Sequence, residues 1–314
     1  MLSRRHIRVK VMQSLYAMEQ TQSENLDKEE KFLLFSIEQM YDLFLINLQL
    51  LIEIRNHAAD FLERSQKKYL ATSEDKDPNE KFINNQVLLL LKKNEEIKGG
   101  VEKKNLNYWH LDDEYVKILW TAIKESELYA SYMSTQTTTF KEDKDFVIAV
   151  FKEIIAPNDK LYEYIEDKRL TWVDDLPIVN TGIIKMIKKI KAGHTETMAL
   201  PQLYKDIDDK QFAKDIFRKT ILNDTIFSKE IEGRTPNWDK DRIAELDKAI
   251  IKMAICEFQK FPSIPVKVTI NEYLEIAKEY STPKSSIFIN GILDKISKEY
   301  QKNGSLNKVG RGLM

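Results

Sequence analysis

Four cations crowd the first ten residues: Arg4, Arg5, Arg8 and Lys10. Arg4 and Arg8 are one helical turn apart, with Arg5 flanking them. The opening turns of a helix carry the positive end of its dipole, so cations there cost roughly a few tenths of a kcal/mol each. Arginine forks together with unpaired N–H groups suit a phosphate. The chemistry this pattern predicts is anion binding, nucleic acid above all; the plainer alternative is a solvated basic terminus. The other polar residues do not point to catalysis. There is no Walker loop, no G-x-G-x-x-G, no nucleophile elbow and no H-E-x-x-H. The acid pairs Asp112-Asp113, Asp174-Asp175 and Asp208-Asp209 are adjacent in sequence and read as caps or solvated faces. His6, His57, His110 and His194 are scattered without metal-ligand spacing. The single cysteine, Cys256, sits among Ile255 and Phe258 and reads as a small core residue. No catalytic residue, metal or cofactor is therefore expected. One cysteine and no signal-peptide pattern predict a reducing, cytoplasmic setting.

The elements that must position the arginines are helices. The 314 residues include only 9 glycines and 8 prolines, and Leu, Ile, Lys and Glu dominate. That composition argues against a turn-rich β protein and for an all-α chain. Residues 1–18 carry the four cations and no acid, and residues 301–314 carry Lys302, Lys308 and Arg311 and no acid. The whole chain nevertheless sums to −1, so a basic head and tail bracket an acidic body.

Ser3 can cap a first helix over 3–20, with Ile7, Val11, Leu15 and Met18 as its apolar stripe, widened by Met12. The arginines are expected to point off that stripe or to lie at its exposed end. Residues 28–64 read as one or two long apolar helices, interrupted by too many polar residues to span a membrane. A linker is expected over 65–81, a helix over 82–93, a break at Gly99-Gly100 and a helix over 112–133. The 65–81 and 92–107 stretches are expected to be the mobile ones. Near the end, helices are expected over 239–258 and 268–280, the latter with Ile270, Leu274, Ala277 and Tyr280 inward. A last helix starts at Thr282-Pro283.

A weak internal repeat lies between these. Phe146, Phe151, Asn158, Ile165, Trp172, Ile183 and Met186 recur as Phe212, Phe217, Asn223, Ile231, Trp238, Ile250 and Met253, offset by 65–67 residues. Each copy reads as a helix, a Trp-bearing loop and a second helix. Duplication of a helical hairpin is one explanation, and convergence of two amphipathic hairpins is the other.

The run Ser3-Arg-Arg-His-Ile-Arg-Val-Lys-Val-Met-Gln-Ser-Leu-Tyr-Ala17 resembles the Arg-rich first helix of the NusB family of transcription antitermination factors. Leu246-Asp-Lys-Ala-Ile-Ile-Lys-Met-Ala-Ile-Cys-Glu257, Ile264 to Lys278 with its V-T-I-N-E core, and Phe288-Ile-Asn-Gly-Ile-Leu-Asp-Lys295 are similar to that family's C-terminal motifs, in family order. The resemblance covers about a third of the chain. It implies an all-α, NusB-like helical bundle and a non-enzymatic factor binding boxA-type single-stranded ribosomal RNA. The implied partners are the ribosomal protein NusE and the RNA polymerase elongation complex. The chain departs from the family in three ways: it is about twice as long, Val9 stands where Glu is frequent, and Lys284-Ser-Ser-Ile287 replaces an Asp-Ser-His-Lys run.

The resulting expectations are specific. Residues 1–22 form the Arg-rich helix, 23–204 an extension containing a candidate repeat unit at 146–190, 205–300 the C-terminal NusB-like bundle, and 301–314 a flexible basic tail. RNA contacts fall to Arg4, Arg5, Arg8 and Lys10 through phosphate. Tyr16 and Phe288 are carried over from the resemblance, and Lys284 adds charge at a helix start. Asp247 matches a position near the partner surface. The competing function is a helical scaffold that binds ribosomal or polymerase proteins without specific RNA recognition.

Overall fold

The computed structural model describes residues 1–67, 77–234 and 243–313. It is all-α, with no strand among the described residues. The helices are α1 (Arg4–Thr21), α2 (Leu26–Gln66), α3 (Gln86–Lys93), α4 (Glu95–Lys104), α5 (Tyr108–Leu111), α6 (Asp113–Lys124), α7 (Glu127–Met133) and α8 (Phe140–Val150). They continue as α9 (Asp159–Lys168), α10 (Leu176–Lys189), α11 (Ile207–Leu222), α12 (Asp224–Glu232), α13 (Glu245–Lys260), α14 (Val266–Tyr280) and α15 (Pro283–Lys302). No helix among the described residues is long and apolar enough to cross a membrane. The chain divides into two compact units: residues 38–203 with Met1, and residues 2–37 with 204–314. α2 contributes to both, its residues up to Ile37 belonging to the second.

In the first unit α2 is the central helix. Leu43 to Ile52 are all buried, including Asn47 and Gln49. Asn47 and Gln49, two of the polar residues that rule out a membrane span, are thus buried within the fold; Asn47 donates to the Leu43 carbonyl. Two indoles are pinned to the same helix: Trp109 donates to the Ile46 carbonyl and Trp172 to the Gln39 carbonyl, both at 2.8 Å. The expected break at Gly99-Gly100 does not occur. α4 runs through both glycines, and a Cβ on Gly100 would meet Leu45 Cδ1 at 2.9 Å, so the missing side chain permits close helix packing. Nor is 92–107 a loose segment. Asn94 caps α4 and also donates to the Met198 carbonyl. The 65–81 expectation falls partly outside the described residues. The helix expected over 112–133 is two, because Ser126 caps α7 after a turn at Glu125.

The repeat is visible as architecture. Phe146, Phe151, Ile165, Ile183 and Met186 are buried, and so are Phe212, Phe217, Ile231, Ile250 and Met253. Each copy has three helices rather than two, α8–α10 and α11–α13, with α9 and α12 inserted before the loop. Trp172 is buried, whereas Trp238 lies outside the described residues. The first copy has one residue more between its second Phe and its Asn. That is where α8 widens into a π-helical turn, Phe151–Ile155. A π turn absorbs a single inserted residue without unwinding the helix, which accounts for the step in offset from 66 at Phe151 to 65 at Asn158.

In the second unit, α1 packs on α11 and α13, and α13 on α14 and α15. Ser3 caps α1 as expected, in a reciprocal capping box with His6. Thr282 and Pro283 start α15 as expected. α13 is described from Glu245, so residues 239–242 of the expected helix lie outside the description. α14 buries Thr269, Tyr273, Ile276 and Ala277, so that of the expected Ile270, Leu274, Ala277 and Tyr280 only Ala277 is fully buried. Its inward face is partly polar, because Thr269 and Tyr273 turn their hydroxyls to a buried carboxylate. The tail expected to be flexible is placed against the α13–α14 turn. Lys308 donates to the carbonyls of Glu257 and Phe261, and Val309 N–H to Pro262 O.

Candidate nucleic-acid interface

The three arginines of α1 radiate into carboxylates on three different helices. Arg4 Nε donates to Asp209 of α11 at 3.0 Å, and its guanidinium lies 5.1 Å from the Phe212 ring centre. Arg5 grips Glu272 of α14 with two bonds, at 3.0 and 2.8 Å. Arg8 grips Glu257 of α13 with two bonds, at 2.9 and 2.8 Å, and has Glu272 at 3.7 Å. Their exposures differ sharply. The Arg4 and Arg5 side chains are 42% and 40% exposed, whereas Arg8 is 3% and Glu257 0%. Arg8 therefore departs from the expectation that all three point away from the core.

Glu257 is the hub. It also accepts hydroxyl bonds from Thr269 at 2.7 Å and Tyr273 at 3.2 Å. Burial works against the Arg8 charge, but the Glu257 carboxylate outweighs it and holds the guanidinium pKa above its ordinary value. Burial and the same carboxylate push the Tyr273 phenol well up. At the surface, the Arg5 hydrogen bond raises the Arg5 pKa and lowers that of Glu272. Sequence spacing pairs none of the three carboxylates with an arginine, and Asp209, expected as a cap or solvated face, is instead buried against Arg4. One signal was present for Glu257, a lone acid closing the apolar run Ile250–Cys256; Asp209 and Glu272 carry none.

An open groove of about 860 Å³ runs past the N-terminal half of α1, between Asp206 to Asp209 and Ser263 to Val268. Arg4, Arg5 and His6 line it. Lys10 does not reach it as a surface cation, because it is only 4% exposed. Tyr16 is exposed and lines a second groove, of about 420 Å³, with Glu19, Lys248 and Lys252. Phe288 is half-buried and Lys284 exposed, in the first turns of α15. Asp247 is buried and accepts the Ser281 hydroxyl at 2.7 Å, fixing the corner between α14 and α15. Glu257 and Asp247 are ten positions apart on α13, about 15 Å along its axis. The Arg8 contact marks one end of α13 and the α15 corner the other, so the start of α15 belongs with the Tyr16 end of α1. Among the described residues no cluster of three or more His, Cys, Asp or Glu could hold a metal ion.

The NusB family model matches residues 183–298. The transcription antitermination protein NusB of Salinibacter ruber is 41% identical over 112 residues, which is 36% of this chain and 70% of that protein. The chain belongs to the NusB family. The protein of the same name from Chloroherpeton thalassium is 39% identical over 129 residues, 41% of this chain and 61% of that protein. The one from Thermodesulfovibrio yellowstonii is 45% identical over 92 residues, 29% and 61% respectively. No solved structure matches. The family match takes in all of α11–α14 and most of α15, and thus all three carboxylates that hold the α1 arginines. It begins within α10, in the other compact unit.

Proposed function

We propose that this NusB-family chain is a non-enzymatic, RNA-binding transcription antitermination factor of the cytoplasm. Its ligand is single-stranded, boxA-type ribosomal leader RNA, and its partners are NusE and the RNA polymerase elongation complex. One observation carries the reading. α1 is clamped onto the helices shared with named antitermination proteins, yet Arg4 and Arg5 keep about 40% of their side-chain surface in solvent. The Arg5 fork on the part-exposed Glu272 exchanges readily for a phosphate, since such surface pairs are worth only about 0–1 kcal/mol, while Arg4 holds the buried Asp209 through Nε alone and keeps its other two nitrogens for an anion. Arg8 acts beneath them as the anchor that sets the helix. Lys284 and Phe288, at the other end of α1, offer a charge and a ring to a strand that follows the helix towards Tyr16. Asp247 serves the partner surface indirectly, by holding the Ser281 corner.

The competing scaffold reading, in which ribosomal or polymerase proteins bind without specific RNA recognition, has its own support: each α1 arginine already has a carboxylate. A salt series with leader RNA, with and without NusE, separates the two. Arg4→Ala with Arg5→Ala should weaken RNA binding and reduce the slope of log affinity against log salt by about 0.7 per lost contact to single-stranded RNA. Equal affinity in parent and variant would exclude the α1 site.

A further inference from the structure

The first unit carries a cationic face of its own. Between positions 185 and 194 the chain has Lys185, Lys188, Lys189 and Lys191, all exposed, and no acid. The first three follow i, i+3, i+4 spacing and share one side of the end of α10. Lys144 of α8 donates to the carbonyls of Lys188 and Ile190 and closes that helix end from behind. α3 also ends in two exposed lysines, Lys92 and Lys93. The loop after α10 returns to that second end: Asn94 donates to the Met198 carbonyl at 2.7 Å, and Glu95 N–H to Glu196 O at 3.0 Å. One short loop thus ties two lysine-bearing helix ends together.

None of these six lysines is paired with a carboxylate among the described residues. The contrast with α1, where every arginine has one, is direct. The acids nearest in the chain are Glu95, Glu96 and Glu196, and Glu96 already accepts the Leu200 N–H at 2.9 Å. Lysines at a helix C-terminus do favour the dipole, by roughly a few tenths of a kcal/mol each. That accounts for a pair in a last turn. It does not account for Lys185, a turn earlier, or for Lys191, beyond the helix end.

We infer that this face, built from Lys92, Lys93, Lys185, Lys188, Lys189 and Lys191, is a second, sequence-independent contact for the phosphate backbone of RNA. The inference rests on the RNA-binding reading above and assigns a role to residues outside the α1 site. Phosphodiester fits better than an acidic protein surface. The lysines are long point charges without fixed geometry, which suits a backbone read only by charge. Positions 185–194 include no exposed large apolar side chain, and a protein interface needs an apolar centre.

The test uses the intact chain and polyuridylate, a single-stranded RNA without boxA sequence. Lys188→Gln, Lys189→Gln and Lys191→Gln together should weaken binding at least tenfold at low salt and cut the salt slope by about 2, at roughly 0.7 per contact. Changing the same three residues to Arg should restore both. In the parent, bound polyuridylate should also protect these lysines from acetylation, a measurement that needs no variant to fold. Unchanged affinity in the Gln variant, or acetylation indifferent to RNA, overturns the inference and leaves an acidic protein as the partner of this face. If Arg4→Ala/Arg5→Ala lowers RNA affinity while the lysine variant does not, only the second contact fails. If neither change affects RNA binding, the RNA-binding reading itself fails.

Discussion

Arg8 is the residue whose loss the structure values most highly. Replacing it with Met keeps the buried stem volume and removes the fork that answers Glu257. Glu257 is then a fully buried carboxylate with only the Thr269 and Tyr273 hydroxyls as donors. Breaking a buried pair from one side costs about 3–5 kcal/mol, because the remaining charge has no counterion. A second change tests that cause. In Arg8→Met/Glu257→Gln the stranded charge is gone; the amide oxygen accepts from one hydroxyl and the amide N–H donates to the oxygen of the other. Most of the loss should return, leaving about 1 kcal/mol for the lost hydrogen bonds. The assay is built into the chain. Cys256, its only cysteine, is buried in the same unit, and burial pushes its thiol up to about 12. It reacts with a thiol reagent only when that unit opens. At about 1.4 kcal/mol per decade, Arg8→Met should speed native-state labelling by about 10²–10³-fold or more, and the double variant should recover most of that. Labelling within about threefold of the parent would refute the anchor role. Equal acceleration in the single and double variants would refute its electrostatic origin.

Other expectations follow from the same geometry. The Arg5 hydrogen bond holds the Glu272 pKa below its ordinary 4.5, so the stability it adds is complete above that value and is lost as pH falls through the lower folded value. The stability gap between parent and Glu272→Gln should therefore close as pH falls below 4.5, as read by urea midpoints; a gap that widens reverses the sign of the argument. Phe288→Ala should lower RNA affinity by about 1–3 kcal/mol if the half-buried ring stacks on a base. Melting temperature and affinity measured on one preparation separate this from a packing role, since lost stability with unchanged affinity of the folded fraction removes Phe288 from the site. At Gly312 a Cβ would lie 1.9 Å from Pro262 O, so Gly312→Ala should release the tail, seen as faster proteolysis after Asn303 with little change in melting temperature.

Helix type and the caps at Ser3 and Thr282 were legible in the sequence because they depend on neighbours in the chain. Ser3, Thr282 and Pro283 do what short-range chemistry predicts. The repeat was legible because Phe and Ile at matching offsets occupy matching buried positions. What was not legible depends on distant partners. Gly99-Gly100 reads as a break until Leu45 is placed against it. The inward line of α14 reads as Ile270-Leu274 until Glu257 draws Thr269 and Tyr273 inward. Lys10 reads as a surface cation, and only the fold shows it buried.

The first helix shows why spacing alone could not assign its arginines. Arg4, Arg5 and Arg8 are equivalent by residue type and by position at a positive helix end. They differ in what the rest of the second unit places opposite them. Asp209, itself buried, and the part-exposed Glu272 line the groove and hold Arg4 and Arg5 where solvent still reaches them. Glu257 stands on the buried face of α13 and takes Arg8 out of solvent. A carboxylate at the rim sets the orientation of a fork that a phosphate can later claim; a carboxylate in the core uses the fork for good. The same reasoning bears on charge as a guide to function. Counted along the sequence, residues 4–10 and 185–191 are equally basic, with four cations and no acid each. Counted after pairing, every α1 arginine has a carboxylate, while the lysines at the ends of α3 and α10 have none among the described residues. Unpaired charge, which can be read only once the carboxylates are placed, is the quantity that matters for a polyanion.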